Sequence, residues 1–516
     1  MRDVLDRQLG KVTMYRLVTI LLLLLAAVMV VLTATGTFTD PFTVRGELVS
    51  LVVLVVASVV SSRLLGLLWR VRPHTESAVI TALLLWFLFW PTTRAVDLAW
   101  LAATALLANL SKYVVAWRGR HLLNPAAAGA VLVVVVQDLV GRETPINATW
   151  WIAAEKLLPF VAVAALLVLW RTRRLDVGLL FMAVAGVGSV WGLVEGFGSP
   201  LDDAVRTVAY SFPIVFIGAF MVTEPLTLPP RRAQQLLVAV VTGVLVAAGP
   251  LLALVDATAP SVGVVSLSLP EVGILLGNVV AFVLARRHGL ELELTGSTRP
   301  TPETHELTFR PTRPTRFVPG QYVELTLPHA GADSRGSRRT FSISSPPADG
   351  GSLSIALRVP EPASSFKQAL VGLEPGSTVR ATGVGGDFVL PADRSVPVVL
   401  VAGGIGITPF LSQLRHDPER DAVVVWGIPS AAEVPLADCL AGTRVVLVCP
   451  ERPAQLPPGW THVAAPVLSA EIVADAVPDL AERRAYVSGP PAMVNAVRPG
   501  LRRRAKRVRT DYFTGY

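Results

Sequence analysis

At 516 residues, with 52% of them hydrophobic and 16% charged, the chain is long enough for two or three domains and too apolar for an ordinary soluble protein. A net charge of +8 does not point to nucleic acid, because the basic residues mostly flank apolar segments, where they report topology. The two cysteines, Cys439 and Cys449, exclude a four-thiolate iron–sulfur cluster and a disulfide framework, so redox chemistry here calls for an organic cofactor.

The basic start "MRDVLDRQLGKVTMYR" leads into "LVTILLLLLAAVMVVLTATG", an apolar run of spanning length without a convincing cleavage site, which reads as a first anchor. About ten such segments precede Arg286, near 16–36, 47–69, 76–91, 95–116, 122–140, 150–170, 176–196, 204–227, 233–255 and 268–285. Every second connection is basic: Arg70 and Arg72, Arg118 and Arg120, Arg171 with Arg173 and Arg174, Arg231 and Arg232, Arg286 and Arg287. The intervening loops carry Asp40, Glu143, Asp202, Asp203 and Asp256 instead. This alternation predicts a multi-pass protein of a bacterial-type inner membrane with both termini cytoplasmic.

Two motifs stand out among the helices. "HLLNPAAAGA", 121–130, puts His121 and Asn124 at a helix start, and "FMVTEPLTLPP", 220–230, puts Thr223, Glu224 and Pro225 at a helix end. Each alone also reads as helix capping and termination. Together with the span count they resemble the FMN-carrying membrane subunit of the sodium-pumping NADH:quinone reductase and its counterpart in the Rnf electron-transport complex. The resemblance implies a membrane electron-transfer domain over 1–288, with Asn124 and Thr223 as cofactor contacts. It also implies an FMN ester on an outer threonine, for which Thr149 in "INATWW" is the candidate, an N-cap being the other reading of that residue. Without FMN, a quinone or another carrier would sit between the helices. Glu155, Lys156 and Glu195 are the ionisable residues expected within the spans. Only His74 and His121 lie among the spans, which disfavours stacked haems.

Beyond Leu290 the composition becomes globular. Short alternating runs, "HELTFRP", "GQYVELTLP", "TFSISSP" and "LSIALRVP", predict an antiparallel β-barrel over 296–394. From 395 onward, "PVVLVAGGIGITPFLSQL", "AVVVWG", "RVVLVC" and "RAYVSGPPAMVNAV" alternate strand with helix and predict a parallel α/β sheet. The turn Gly403-Gly404-Ile405-Gly406-Ile407-Thr408-Pro409 would let backbone approach a pyrophosphate, although many α/β domains have glycine-rich turns. In "RRTFSISSPP", 338–347, Arg339 suits a diphosphate, Phe341 a flat ring and Ser342 a ring nitrogen; a polar surface strand is the plainer reading.

The order of "PGQY" (319–322), "RTFSISS" (339–345), "GGDFVLP" (385–391), "GGIGITPF" (403–410) and "VSGPPAMV" (487–494) resembles the ferredoxin–NADP⁺ reductase family over 296–516. The resemblance implies an FAD-binding barrel whose cofactor contacts are Tyr322, Arg339, Thr340, Phe341, Ser342, Ser344 and Ser345, with Ser364 or Ser365 near the phosphates. It implies that Gly404, Gly406, Thr408, Pro409, Gly489 and Pro490 hold the nicotinamide dinucleotide. Ser342, Ser488 and Tyr516 would serve the hydride path, Tyr516 or Phe513 covering the flavin. Ser488 stands where many members carry Cys. "IPSAAEV" lacks the arginine that would grip a 2′-phosphate, which favours NADH over NADPH.

The expectation is a membrane-bound FAD-dependent NAD(P)H oxidoreductase that passes electrons into or across the membrane half, to a quinone or other acceptor, with further electron-transfer subunits as partners. A cytosolic reductase merely anchored by helices, and a redox-sensing transporter, are the alternatives.

Overall fold

Helices form within every apolar segment from Met14 to Leu284 in the computed structural model, which describes residues 14–516 apart from 71–72, 118–119, 143, 286–288, 332–336, 349–350, 441 and 514–516. Tyr516 and the loop residues Arg72, Arg118, Glu143, Arg286 and Arg287 lie outside the described residues. The chain divides into two compact units at Arg286 and Arg287.

The helical unit contains α1 Met14–Ala34, α2 Val44–Leu68, α3 Thr75–Leu88, α4 Ala95–Val114, α5 Pro125–Leu139, α6 Leu158–Arg171, α7 Leu175–Trp191, α8 Leu201–Ser211, α9 Ile214–Phe220, α10 Arg232–Val246, α11 Ala248–Leu252 and α12 Pro270–Leu284. The expectation of about ten spans is corrected: three helices, Met14–Ala34, Val44–Leu68 and the extended Leu175–Gly196, are long and apolar enough to cross a membrane, or five if each of two bent pairs counts as one span. The shortfall arises because an apolar run can outlast its helix. The third run reaches Trp90, but α3 stops at Leu88 as the chain extends towards Pro91. Residues 151–157 make a 3₁₀ turn and a further turn before α6 begins.

Polarity in this unit is reversed relative to a soluble bundle. On α2, Glu47, Ser50, Ser58, Ser61 and Ser62 are buried, whereas Leu48, Val52, Val56, Val60, Leu64 and Leu67 face outward. Where lipid surrounds a helix, apolar side chains gain nothing by turning inward, and the polar ones seek partners there. Asn109 of α4 supplies them: its Nδ2 donates to Ser58 O (3.1 Å), Ser58 Oγ (2.9 Å) and Ser61 Oγ (3.1 Å).

The short α3 raises a second demand, since its last residues, Leu85 to Phe89, are buried and their carbonyls need donors from the protein. The segment "TWW" answers it. Leu88 O accepts from Thr149 N (2.7 Å), Trp150 N (3.1 Å) and Thr149 Oγ1 (3.0 Å), while Trp151 Nε1 donates to Trp86 O (2.9 Å) and Phe89 O (2.8 Å). Irregular backbone at membrane depth is tolerated where protein buries it, and each unmet group there costs several kcal/mol.

In the second unit, β1 Leu290–Thr301, β2 Thr304–Pro311, β3 Tyr322–Thr326, β4 Arg338–Ser342, β5 Leu353–Arg358 and β6 Thr378–Gly385 form an antiparallel sheet in the order β4-β3-β6-β1-β2-β5, with helix α13 Ser365–Val371 before β6. A bridge between Ile343 and Ile355 links its ends into a barrel, whose core includes Leu292, Leu307, Phe309, Val323, Ile355 and Phe366.

The parallel sheet follows as expected. Its strands are β7 Val398–Gly403, β8 Ala422–Gly427, β9 Arg444–Cys449, β10 Trp460–Ala464, β11 Arg484–Gly489 and β12 Arg507–Tyr512, in the order β10-β9-β8-β7-β11-β12. Helices α14 Thr408–His416, α15 Ala470–Ala476 and α16 Pro491–Arg502 lie between them in sequence. Strand β7 is buried throughout because both faces are covered: Val398, Leu400 and Ala402 enter one core, Val399 and Val401 the other.

Trp151→Ala removes the donor shared by Trp86 O and Phe89 O and leaves a large void, and is expected to destabilise the helical unit by about 3–5 kcal/mol. A lowered melting temperature of the purified protein in detergent, with Trp151→Phe falling between variant and parent, would bear this out; unchanged melting would refute the capping role.

Candidate functional site

Where strand β7 ends, the chain turns sharply through a 3₁₀ segment, Gly404–Ile407, into α14. Gly404 has φ +52°, in the left-handed region, and Trp426 Nε1 fixes the turn by donating to its carbonyl (3.0 Å). Gly406 passes so close to the end of β11 that a Cβ there would lie 2.5 Å from Ser488 O and 2.6 Å from Gly489 Cα. The turn and the "VSGPP" segment are therefore packed backbone to backbone. Two buried hydroxyls in this region, Thr408 Oγ1 and Ser488 Oγ, have no hydrogen-bond partner among the described residues. A buried hydroxyl without a partner costs free energy, and a bound ligand that bonds to it recovers that cost. The bare backbone and waiting hydroxyls fit a nicotinamide dinucleotide at the carboxyl ends of the strands. Phe513 lies beside the same place, its amide donating to Gly489 O (2.9 Å).

One residue missed by sequence reading joins this group. Asp511 on β12 is the register partner of Ser488 on β11. Burial raises its carboxyl to about 6; the Tyr512 amide, donating to Oδ1 at 3.0 Å, pulls the other way, and Asp387 reinforces the rise. The signal available in sequence was one acid in the terminal "TDYF", legible only once β12 is known to lie beside β11.

In the barrel, the serine-rich stretch divides by role. Arg339 and Phe341 are both buried on β4 and both approach Phe366, the guanidinium 5.1 Å from its centroid and the Phe341 ring 6.1 Å away at 25°. Thr340 is exposed, and Ser342 is buried opposite Tyr322 of β3. Ser344 and Ser345 serve the junction of barrel and nucleotide domain. Ser344 Oγ donates to Glu306 Oε1 (2.9 Å), Ser345 Oγ accepts from Ser354 N (2.9 Å), and Ser345 O accepts from Ser412 Oγ of α14 (2.6 Å). Arg415 of α14 adds a bond to Ser344 O (3.3 Å) and a contact with Glu306 (3.6 Å). Ser364 caps α13, accepting from Lys367 N, and Ser365 Oγ lies 3.0 Å from His329 Nε2. "PGQY" and "GGDF" meet through Gln321 Nε2, which donates to Gly386 O (3.2 Å). A buried guanidinium over one aromatic ring, with a second ring stacked on that one, fits the diphosphate and ring system of FAD.

Over the glycine turn stands a second acid, Glu433, in the 3₁₀ segment Ala431–Leu440; Oε2 would be 3.8 Å from a Cβ on Gly404. Burial holds its carboxyl above the usual range, with Arg358 of β5 (3.4 Å) pulling it down.

In the helical unit, the two motifs meet. Glu224 accepts from Asn124 Nδ2 (3.1 Å) and pairs with His121 Nε2 (2.9 Å), while Asn124 N donates to Asn278 Oδ1 (2.7 Å). Arg120 bonds the carbonyls of Pro225 and Leu226, and Arg174 Nη1 that of Thr223 (2.6 Å). Asn124, Thr223 and Glu224 line an open cavity whose other walls include Val18, Ile80, Leu84 and Val168. Thr149 is not brought near it: its hydroxyl is taken up in capping α3. Glu155, Lys156 and Glu195 are exposed rather than enclosed, since Glu155 and Lys156 precede α6 and Glu195 lies in the π-helical turn Gly192–Gly196 that follows α7. Among the described residues the buried carboxylates of this unit are Glu47 and Glu271, the latter accepting from Trp150 Nε1 (3.0 Å).

The barrel and the parallel sheet with a glycine turn at its carboxyl edge have the two-domain form that the ferredoxin–NADP⁺ reductase resemblance implied. No family model matches the chain. It is 31% identical over 219 residues to the reductase subunit of an aromatic O-demethylase from Amycolatopsis sp., covering 39% of this chain and 62% of that one. It is 31% identical over 192 residues to the reductase component of a propane 2-monooxygenase from Gordonia sp. (35% and 53% covered) and 29% over 187 residues to an NADPH oxidoreductase of Mycobacterium tuberculosis (35% and 47%). The chain thus spans about half to three-fifths of the length of these relatives. Motifs and these relatives support a ferredoxin–NADP⁺ reductase-type flavoprotein domain in the carboxy-terminal half.

Because the folded pKa of Asp511 is raised from 3.8 to about 6, its contribution to stability is fully present below the lower value and is lost as pH rises through the upper one. Asp511→Asn should therefore flatten the fall in melting temperature between about pH 4 and pH 6. An identical pH profile in the variant would show that the carboxyl is not held neutral.

Proposed function

We propose that the chain is a membrane-bound, FAD-dependent NAD(P)H oxidoreductase whose helical half receives the electrons. The observation that carries the reductase reading is the pairing of buried, unpartnered Thr408 and Ser488 hydroxyls with the close approach of Gly406 to Gly489. When bound, FAD supplies hydride acceptance from a nicotinamide and release of electrons one at a time.

The chain's own residues provide position and electrostatics. Arg339 offers charge to the diphosphate, Phe341 and Phe366 an aromatic wall, and Ser342 and Tyr322 a polar edge. Gly404, Gly406, Thr408 and Pro409 present backbone and a hydroxyl to the dinucleotide, with Gly489 and Pro490 lining its path and Phe513 beside it. Ser488 offers a hydroxyl near the reacting ring, and Asp511 alongside has its carboxyl raised to about 6, so that it exchanges a proton in mildly acidic solution. Glu433 supports NADH as the donor, since a carboxylate over this turn accepts from ribose hydroxyls and repels a 2′-phosphate.

For the helical half, the cavity with Asn124, Thr223 and Glu224 at its polar end and aliphatic residues at the other supports an amphipathic electron carrier, a quinone or FMN. The reversed polarity of α2 and the three long apolar helices support a multi-pass membrane location.

Arg339→Ala is expected to lower bound FAD and NADH-driven ferricyanide reduction at least about tenfold, without a change in fold by circular dichroism. Full flavin content and activity in that variant would sink the reductase assignment. Glu433→Gln should shift the ratio of kcat/KM for NADPH over NADH upward by about an order of magnitude; a ratio that stays put would remove Glu433 from donor selection. Glu224→Gln should leave ferricyanide reduction intact and depress quinone reduction in liposomes, and equal loss of both would argue against the cavity as the carrier's site.

A further inference from the structure

Between Arg484 and Thr510 the chain carries no acidic residue, and its last part, "LRRRAKRVR", is densely basic. Some of these cations are occupied: Arg504 contacts Ala470 O (3.4 Å) and Glu471 (3.7 Å), and Arg509 contacts Asp387 O (3.0 Å) and Val389 O (3.3 Å). Arg502, Arg503, Lys506 and Arg507 are exposed, and among the described residues their side chains make no hydrogen bond or ion pair.

Their place in the fold is distinctive. Arg502 ends α16 and Arg507 opens β12, where its register partner is Arg484 at the start of β11. The dinucleotide turn lies at the other end of the sheet, beyond Gly403 and Gly489, a full strand away at roughly 16–20 Å. These cations therefore cannot serve the phosphates of a dinucleotide held at the glycine turn. Protection of an edge strand accounts for Arg507 at most, since the others lie on the end of a helix and the turn after it.

We propose that this pole of the nucleotide domain rests on an anionic lipid surface. Clustered exposed cations without internal partners match lipid phosphates, and a contact at this pole leaves the dinucleotide turn open. An acidic redox protein fits less well, because docking here would hold it a strand's length from the turn where hydride is exchanged.

The test is hydrogen–deuterium exchange on the full-length protein in nanodiscs of phosphatidylglycerol or of phosphatidylcholine. The expected result is exchange of peptides spanning 500–510 at least about tenfold slower on the anionic discs, lost at high salt and in R502Q/R503Q/K506Q/R507Q. Equal exchange on the two lipids would overturn the proposal, as would protection that appears only when an acidic soluble protein is added. An unchanged melting temperature establishes that the fourfold variant is folded. Should it melt low, R503Q/R507Q takes its place, with a partial loss of the lipid-dependent difference expected and an undiminished difference counting against the proposal.

Discussion

Backbone carbonyls that cannot reach water must find donors in the protein, and the helical half is organised around that requirement. Helix α3 stops after fourteen residues, too short to cross a bilayer alone, and its end is sealed by Thr149, Trp150 and Trp151 from a distant loop. The same solution recurs where α9 ends. There Arg120 and Arg174 converge on the carbonyls of Thr223, Pro225 and Leu226, and the freed side chain of Glu224 turns to His121 and Asn124. Two motifs a hundred residues apart thus form one polar knot beside a cavity. The capping demand of broken helices and the polar end of the candidate carrier site come from the same residues.

In the flavoprotein half the governing constraint is steric. The glycine turn and the end of β11 are so close that no side chain fits between them at Gly406. That contact sets Ser488 and Thr408 beside open backbone, while β12 brings Asp511 alongside. The barrel is held to this arrangement by α14, whose Ser412, Gln413 and Arg415 reach Ser345 O, Phe388 O and Ser344 O. The helix that opens at the dinucleotide turn thus also grips the barrel, one helical turn further on.

Much of this was legible in the sequence because it rests on short-range pattern. The all-apolar "VVLVA" before the glycines predicted a buried strand of a parallel sheet, and the short alternating runs around "YVELT" and "LSIAL" predicted an antiparallel barrel, although Leu353 to Leu357 are buried throughout. The helix count was less legible: hydropathy reports how long an apolar run is, and only tertiary capping decides where its helix ends. Thr149 carried two readings in sequence, an attachment point and a helix cap, and neither revealed that its hydroxyl donates to a carbonyl sixty-one residues earlier. Asp511 and Glu433 were invisible for the complementary reason. Each is an ordinary acid in its own segment and becomes notable only through a neighbour supplied by another strand or turn.

Ser344 and Ser345 carry a consequence for how such chains are compared. They lie within the stretch that advertises flavin binding, but their side chains bond inside the barrel, to Glu306 and the Ser354 amide, while their carbonyls accept from Arg415 and Ser412 of α14. Any residue offers a carbonyl, so the joint between the domains makes no demand on the serines themselves. Their retention in a diverged chain therefore testifies to an intact barrel edge, and evidence of a surviving cofactor has to come from Arg339 and the ring beside it.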